Sequence, residues 1–165
     1  MLYKDFVKCW KDGKEQWDNY RIEVGGVAAR LCYFFAKRMG FEKDNYEKYL
    51  KLFPLKENDQ EKIQRTIYAP YACVDFDKFG WANVGVRFLL EYGENYWPKN
   101  QFILTIEIKK EGDTWLLRIA KDGTLHTLNS SLSDIELEPV WDEFVKLFRH
   151  MTVDQLSDWL TQDKR

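Results

Sequence analysis

Glu107-Ile108-Lys109 is the stretch of this chain whose residue types and spacing could do chemistry. Positions i and i+2 of a strand project from one face, so a carboxylate and an ammonium there could reach one phosphate. Upstream, Asp75-Phe76-Asp77 sets two carboxylates at the same spacing, enough to begin a divalent-cation site. With no further oxygen ligand nearby in sequence, the same pair equally suits a solvated strand end. The two histidines, His126 and His150, are far apart in sequence. His126 falls in a strand, and His150 near a helix C-terminus, where the dipole favours a cation. Cys9, Cys32 and Cys73 are an odd set without metal-ligand spacing, and read as reduced, mostly buried thiols. The sequence singles out no nucleophile–base pair and no cofactor fingerprint. Gly25-Gly26 lacks the context of a phosphate loop and reads as a hinge or a close helix approach.

The Glu107-Ile108-Lys109 strand, with Asp77 upstream, resembles the PD-(D/E)xK nuclease superfamily. The resemblance implies that Asp77 and Glu107 bind a divalent metal and that Lys109 polarises the attacking water or the phosphate. It covers three residues and a loosely placed acid. In that superfamily the strand usually leads into a helix and a parallel strand, whereas here a hairpin turn follows at Lys110-Glu111-Gly112-Asp113. His150-Met151-Thr152 is similar to one half of a paired His-x-Thr phosphodiesterase motif whose second half is missing.

These residues sit in an antiparallel meander over 101–129. Phe102, Leu104, Ile106 and Ile108 alternate with Ile103, Thr105, Glu107 and Lys109, and Trp115, Leu117 and Ile119 with Thr114, Leu116 and Arg118. Period-2 alternation places one face in a core and leaves the other partly wet. Asp122-Gly123 signals a tight type I′ hairpin, and the strand over 124–129 is the weakest, a candidate edge. Two further strands are expected over 67–76 and 81–92, with Pro70 confining the first to an edge.

Helices flank the sheet. Tyr3, Phe6, Val7 and Trp10 follow i, i+3, i+4, i+7 and predict a short amphipathic helix over 2–11, ended by Asp12-Gly13. After an ambiguous stretch over 17–24 and the break at Gly25-Gly26, a central buried helix is expected over 27–39, closed by Gly40. Asp44 with Glu47 predicts a helix carrying Tyr46, Tyr49, Leu50 and Phe53, and the polar stretch over 55–65 a loop with one helical turn. Glu138-Pro139 opens a helix with the stripe Val140, Trp141, Phe144, Val145 and Phe148, and Thr152 to Gln155 caps a last short one. The expected fold is one α+β domain over 1–165. It has an antiparallel sheet of about five strands, with N-terminal and C-terminal helices on one face.

The 165 residues are 45% hydrophobic and 32% charged, with a net charge of -2. That suits a globular protein with a sizeable core, and supplies neither the basic face of a general DNA binder nor the acidic excess of a DNA mimic. No secretory leader and no membrane-length apolar run stands out, so a cytoplasmic protein is expected. Aromatic residues make up 16%, seven of them Trp. Tyr92, Tyr96 and Trp97 fall on a loop that is exposed by composition, a pointer to binding. The expected function is that of a non-enzymatic protein–protein interaction module without a cofactor, an inhibitor, immunity-type or adaptor protein of bacterial or phage character. The alternative is the nuclease of Asp77, Glu107 and Lys109, and a third reading is a small-ligand pocket between the sheet and the 27–39 helix.

Overall fold

A computed structural model describes residues 2–41, 46–90 and 100–151. The fold is α+β. Helix α1 (Tyr3–Arg38) is followed by a 3-10 turn (Tyr46–Lys48), strand β1 (Leu50–Phe53), helix α2 (Gln60–Arg65) and a second 3-10 turn (Pro70–Cys73). Strands β2 (Asp75–Phe76), β3 (Ala82–Leu90), β4 (Asn100–Glu111), β5 (Thr114–Ile119) and β6 (His126–Asn129) then lead to helix α3 (Asp134–Arg149).

All pairings are antiparallel, in the order β1-β3-β4-β5-β6, and β2 joins the outer edge of β3 just beyond β1. The alternation read from sequence decides the faces. Val84, Val86, Leu104, Ile106, Ile108, Leu117 and Ile119 are buried on one face. There they meet Val24, Val27, Ala28, Leu31, Phe34 and Phe35 of α1, and Leu137, Val140 and Phe144 of α3. Phe144 is the hub, stacked on Phe35 at 4.8 Å and on Phe88 at 4.9 Å between ring centroids. Arg30 and Lys37 of α1 hold Asp134 at the start of α3 at 2.5 and 2.8 Å. These two contacts pull the Asp134 carboxyl below its ordinary range, Lys37 contributing most.

The principal difference from expectation is α1. It runs unbroken for 36 residues through Asp12-Gly13 and Gly25-Gly26. A glycine costs a helix about 1 kcal/mol relative to Ala, which a long cooperative helix absorbs. Gly25 has a packing reason to be there. A Cβ at this position would lie 2.7 Å from the Tyr71 amide nitrogen and 2.8 Å from the Pro70 carbonyl carbon. Gly25 thus marks a close approach within one continuous helix, and the pair is not a hinge.

The expected helix over Tyr46 to Phe53 is instead a turn and strand β1. Leu50 and Leu52 face the core, and Lys51 and Phe53 the other side, as pairing with the β3 edge requires. Helix α3 begins at Asp134, five residues ahead of Pro139, because Ser133 and Glu136 form a capping box. The Asp122-Gly123 turn is not of the expected type. Positive φ falls at Ala120 (65°), and Gly123 is required because a Cβ there would lie 2.1 Å from the Ile119 carbonyl oxygen. The primed hairpin turn is the other one, with Gly112 at φ 60°. The segment expected as a strand over 67–76 is mostly the Pro70–Cys73 turn, with only Asp75 and Phe76 in the sheet.

Candidate functional site

Strand β4 presents Glu107 and Lys109 on the sheet face turned away from α1 and α3. Glu107 stands between Asn83 of β3 and Arg118 of β5 in register. Arg118 Nε donates to Glu107 Oε2 at 2.6 Å, and the guanidinium lies 5.1 Å over the Trp81 ring. Lys109 Nζ is 5.9 Å from the same ring and donates to the Phe79 carbonyl at 3.3 Å. Asp77 Oδ1 accepts from the amides of Phe79 and Trp81 at 2.8 and 3.0 Å, so its carboxylate ties the β2–β3 turn together. Asp75 pairs instead with Lys56 at 3.0 Å.

The structure therefore brings Asp77 and Glu107 to the rim of one open depression of about 500 Å³, shared with Asn83, Thr105 and Lys121. It also engages each of the three groups, Glu107 most firmly, with only 12% of its side chain exposed. Arg118 and Trp81, which complete this cluster, were not singled out from the sequence. Among the described residues, no group of three or more His, Cys, Asp and Glu side chains is placed to hold one metal ion.

Two buried cations lie nearer the β1 edge. Lys51 and Arg87 are directly opposed in register, 8% and 6% exposed. Lys51 Nζ donates to the carbonyls of Gln64 and Thr66 at 2.7 and 3.2 Å, where α2 ends. Arg87 Nε donates to Gln101 Oε1, and Gln101 Nε2 to Gln60 Oε1. Burial lowers the affinity of both cations for their protons, and for Lys51 the neighbouring Arg87 adds to the effect. Their bonds lay α2 across this face of the sheet. His126 is likewise occupied within the fold, its Nε2 meeting Glu143 of α3, whose other oxygen accepts from the Thr124 amide at 2.7 Å.

Between α1 and β1 lies a cavity of about 70 Å³, lined by Ala29, Cys32, Tyr46, Leu50 and Tyr68 among others. It is room for a water or two rather than for a drug-sized ligand. The Tyr68 hydroxyl is buried without a hydrogen-bond partner. Burial pushes the Cys32 thiol up to about 12, with smaller contributions from Glu47 and Cys73. Cys73 is buried as well, and Cys9 is exposed on α1.

Among the described residues, the first half of α1 carries a run of exposed large hydrophobic side chains. The stripe that buries Val24, Val27, Leu31 and Phe34 continues toward the N-terminus as Tyr20, Trp17, Gly13, Trp10, Phe6 and Tyr3. Among the described residues, the ring contacts between the helix and the sheet begin at Trp17. Trp17 packs edge-on against Phe76 at 5.1 Å, and Tyr20 stacks on Phe76 and Trp115. Arg21 donates to the Val74 carbonyl at 2.6 Å. The 14 residues before Trp17 project about 20 Å beyond that anchor. Tyr3, Phe6 and Trp10 are 81, 60 and 66% exposed there.

The expected binding residues Tyr92, Tyr96 and Trp97 lie outside the described residues, as does the helix expected from Thr152. Among the described residues, no helix is long and apolar enough to cross a membrane. Neither the family models, nor the curated proteins, nor the solved structures contain a match to this chain.

Proposed function

We propose that this protein is a non-enzymatic protein–protein interaction module whose docking element is the projecting first half of α1. One observation carries the reading: an apolar stripe is buried along half of a helix and continues, as aromatic side chains, exposed along the other half. A soluble helix normally buries its apolar face, and an exposed aromatic face on a projecting helix is the usual form of a helix-in-groove or helix-pair contact. The three free thiols suit a reducing compartment, the cytoplasm. The size and the single projecting element suit an inhibitor, an immunity-type protein or an adaptor. The loop with Tyr92, Tyr96 and Trp97 is a second candidate contact on its aromatic content alone.

The test is site-specific photo-crosslinking in cells, with a benzoylphenylalanine at position 6 and, as control, at position 8 on the opposite side of the helix. A discrete adduct at position 6 and none at 8 is expected. Equal yields at both positions, or no adduct at 6, would overturn the assignment of this face.

The nuclease reading has one observation in its favour, the depression that Asp77 and Glu107 share. It requires both carboxylates to leave their present partners. It predicts divalent-dependent cleavage of DNA or RNA that disappears in Glu107→Ala and Lys109→Ala.

A further inference from the structure

The exposed stripe of α1 is a heptad repeat in phase with the buried one. Tyr3, Trp10, Trp17, Val24 and Leu31 fall seven residues apart, and Phe6, Gly13, Tyr20, Val27 and Phe34 form the companion series. A 3-4 repeat is what two helices use to pack on each other, the first series supplying a positions and the second d positions. Gly13 interrupts the stripe with a gap. A Cβ there would meet nothing within 4 Å, so among the described residues no contact explains a residue that weakens the helix.

Resting on the docking reading above, we infer that the occupant of this face is a second copy of the chain, its α1 running antiparallel. In an antiparallel pair each a residue sits beside a d residue of the other helix. Tyr3 then meets the second copy's Tyr20, Phe6 its Trp17, and Trp10 its Gly13, so the largest side chain fills the gap left by the smallest. A parallel pair would set Trp10 against Trp10 and Gly13 against Gly13, an overpacked layer next to a void.

Charge points the same way. Residues 2–11 carry three lysines and one aspartate, and residues 12–19 three acids and one lysine. Antiparallel pairing lays the basic segment of one copy along the acidic segment of the other, whereas parallel pairing opposes like with like. The four aromatics Tyr3, Phe6, Trp10 and Trp17, at 54–81% exposure, offer roughly 500 Å² per copy. Doubled across the pair, this reaches the roughly 1,000 Å² at which specific interfaces begin.

Sedimentation velocity of the purified full chain over micromolar concentrations tests this. The wild type is expected to dimerise. Trp10→Gly, which opens a void, and Gly13→Trp, which sets indole against indole, should each weaken the dimer by at least about tenfold. The combined exchange Trp10→Gly/Gly13→Trp moves the large and small residues to each other's positions and should restore it. Unchanged unfolding of the body in each variant confirms that the rest of the fold is intact.

A wild type that stays monomeric, or an exchange variant that remains as weak as the single variants, overturns the proposal. So does a monomer whose α1 binds anionic vesicles. If the chain is monomeric while the position 6 cross-link captures a different protein, the second copy is refuted and the docking face stands. Absence of that cross-link refutes the face itself.

Discussion

Gly25→Ala and Gly26→Ala are adjacent, chemically identical substitutions for which opposite effects are expected. Gly26 is exposed, and a Cβ there meets no atom within 4 Å. Its replacement supplies the helix propensity that glycine lacks, so Gly26→Ala should stabilise by about 1 kcal/mol. At Gly25 the same gain is overwhelmed. The new Cβ would approach backbone atoms of Tyr71 and Pro70 at 2.7 and 2.8 Å, well inside ordinary contact. Neither atom belongs to a side chain that can swing away. Pro70 is fixed in φ, and the turn is bonded from the Ala72 amide to the Ala69 carbonyl and from Val74 to Tyr71.

Relief at Gly25 must come from moving α1 off the turn, which opens the packing around Cys73 and Val74, both buried. Overpacking of this kind costs about 1–3 kcal/mol, leaving a net loss of up to about 2 kcal/mol after the propensity gain. The propensity gain is common to both variants, so they should differ by the overpacking cost itself, roughly 1–3 kcal/mol. For a chain of this length that is a separation of roughly 2–12 °C in Tm. In urea it is a midpoint difference of about 0.5–1.5 M at unchanged slope. Paired urea titrations followed by far-UV circular dichroism are sufficient. If Gly25→Ala unfolds at the same urea concentration as Gly26→Ala, α1 does not press on the Pro70–Cys73 turn.

Two further outcomes follow from the charges. Arg118→Ala leaves the Glu107 carboxylate, only 12% exposed, without its ion-pair partner, and should cost about 2 kcal/mol in thermal or urea denaturation. Glu107→Gln, which keeps a hydrogen-bond acceptor opposite Arg118, should cost less, and equal losses would mean that the pair contributes nothing specific. On the acid side, Lys37 then Arg30 lower the Asp134 carboxyl from its ordinary 3.8, and the Asn129 amide then Ser131 and Ser133 lower Glu136 from 4.5. A depressed carboxyl stabilises fully above its unfolded value and loses that contribution as pH falls through the folded one. Stability should therefore drop below about pH 4.5, and Asp134→Asn with Glu136→Gln should flatten that slope. An unchanged slope in the double variant would show that other carboxylates carry the acid response.

The sheet was legible because its alternation is a local signal that the tertiary structure has no reason to override. Phe102 to Ile108 and Trp115 to Ile119 lie on the core face as read. The helix starts and strand edges were less so, for identifiable reasons. At β1, Tyr46, Tyr49, Leu50 and Phe53 fit a helical stripe as well as Leu50 and Leu52 fit a strand, and only the vacant edge of β3 decides between them. At α3, the Pro139 signal distracted from the better cap formed by Ser133 and Glu136. Asp77, Glu107 and Lys109 were found by type, but their engagement depends on register. A two-residue turn at Gly112-Asp113 pairs Glu111 with Thr114 and hence Glu107 with Arg118. Counting outward from Gly112 would have exposed that partner.

The same consideration governs the α1 stripe. Reading Tyr3, Phe6, Val7 and Trp10 as one short helix, and 27–39 as another, hid the common phase of the two. A glycine at position 13 is a reason to end a helix only if nothing compensates for it. Here the length of the helix absorbs the cost, and the heptad resumes without a slip at Trp17, although among the described residues nothing packs into the gap. The stripe keeps phase across a glycine and runs on beyond Trp17, where the ring contacts with the sheet begin, which is why the docking face is proposed there. The buried half requires residues 24, 27, 31 and 34 to be apolar. It places no demand on residues 3, 6 and 10, which carry aromatic side chains where solvent alone would favour charge. That surplus of apolar surface is what a docking helix needs, and its gap at Gly13 gives the proposed antiparallel pairing a specific geometry to be tested.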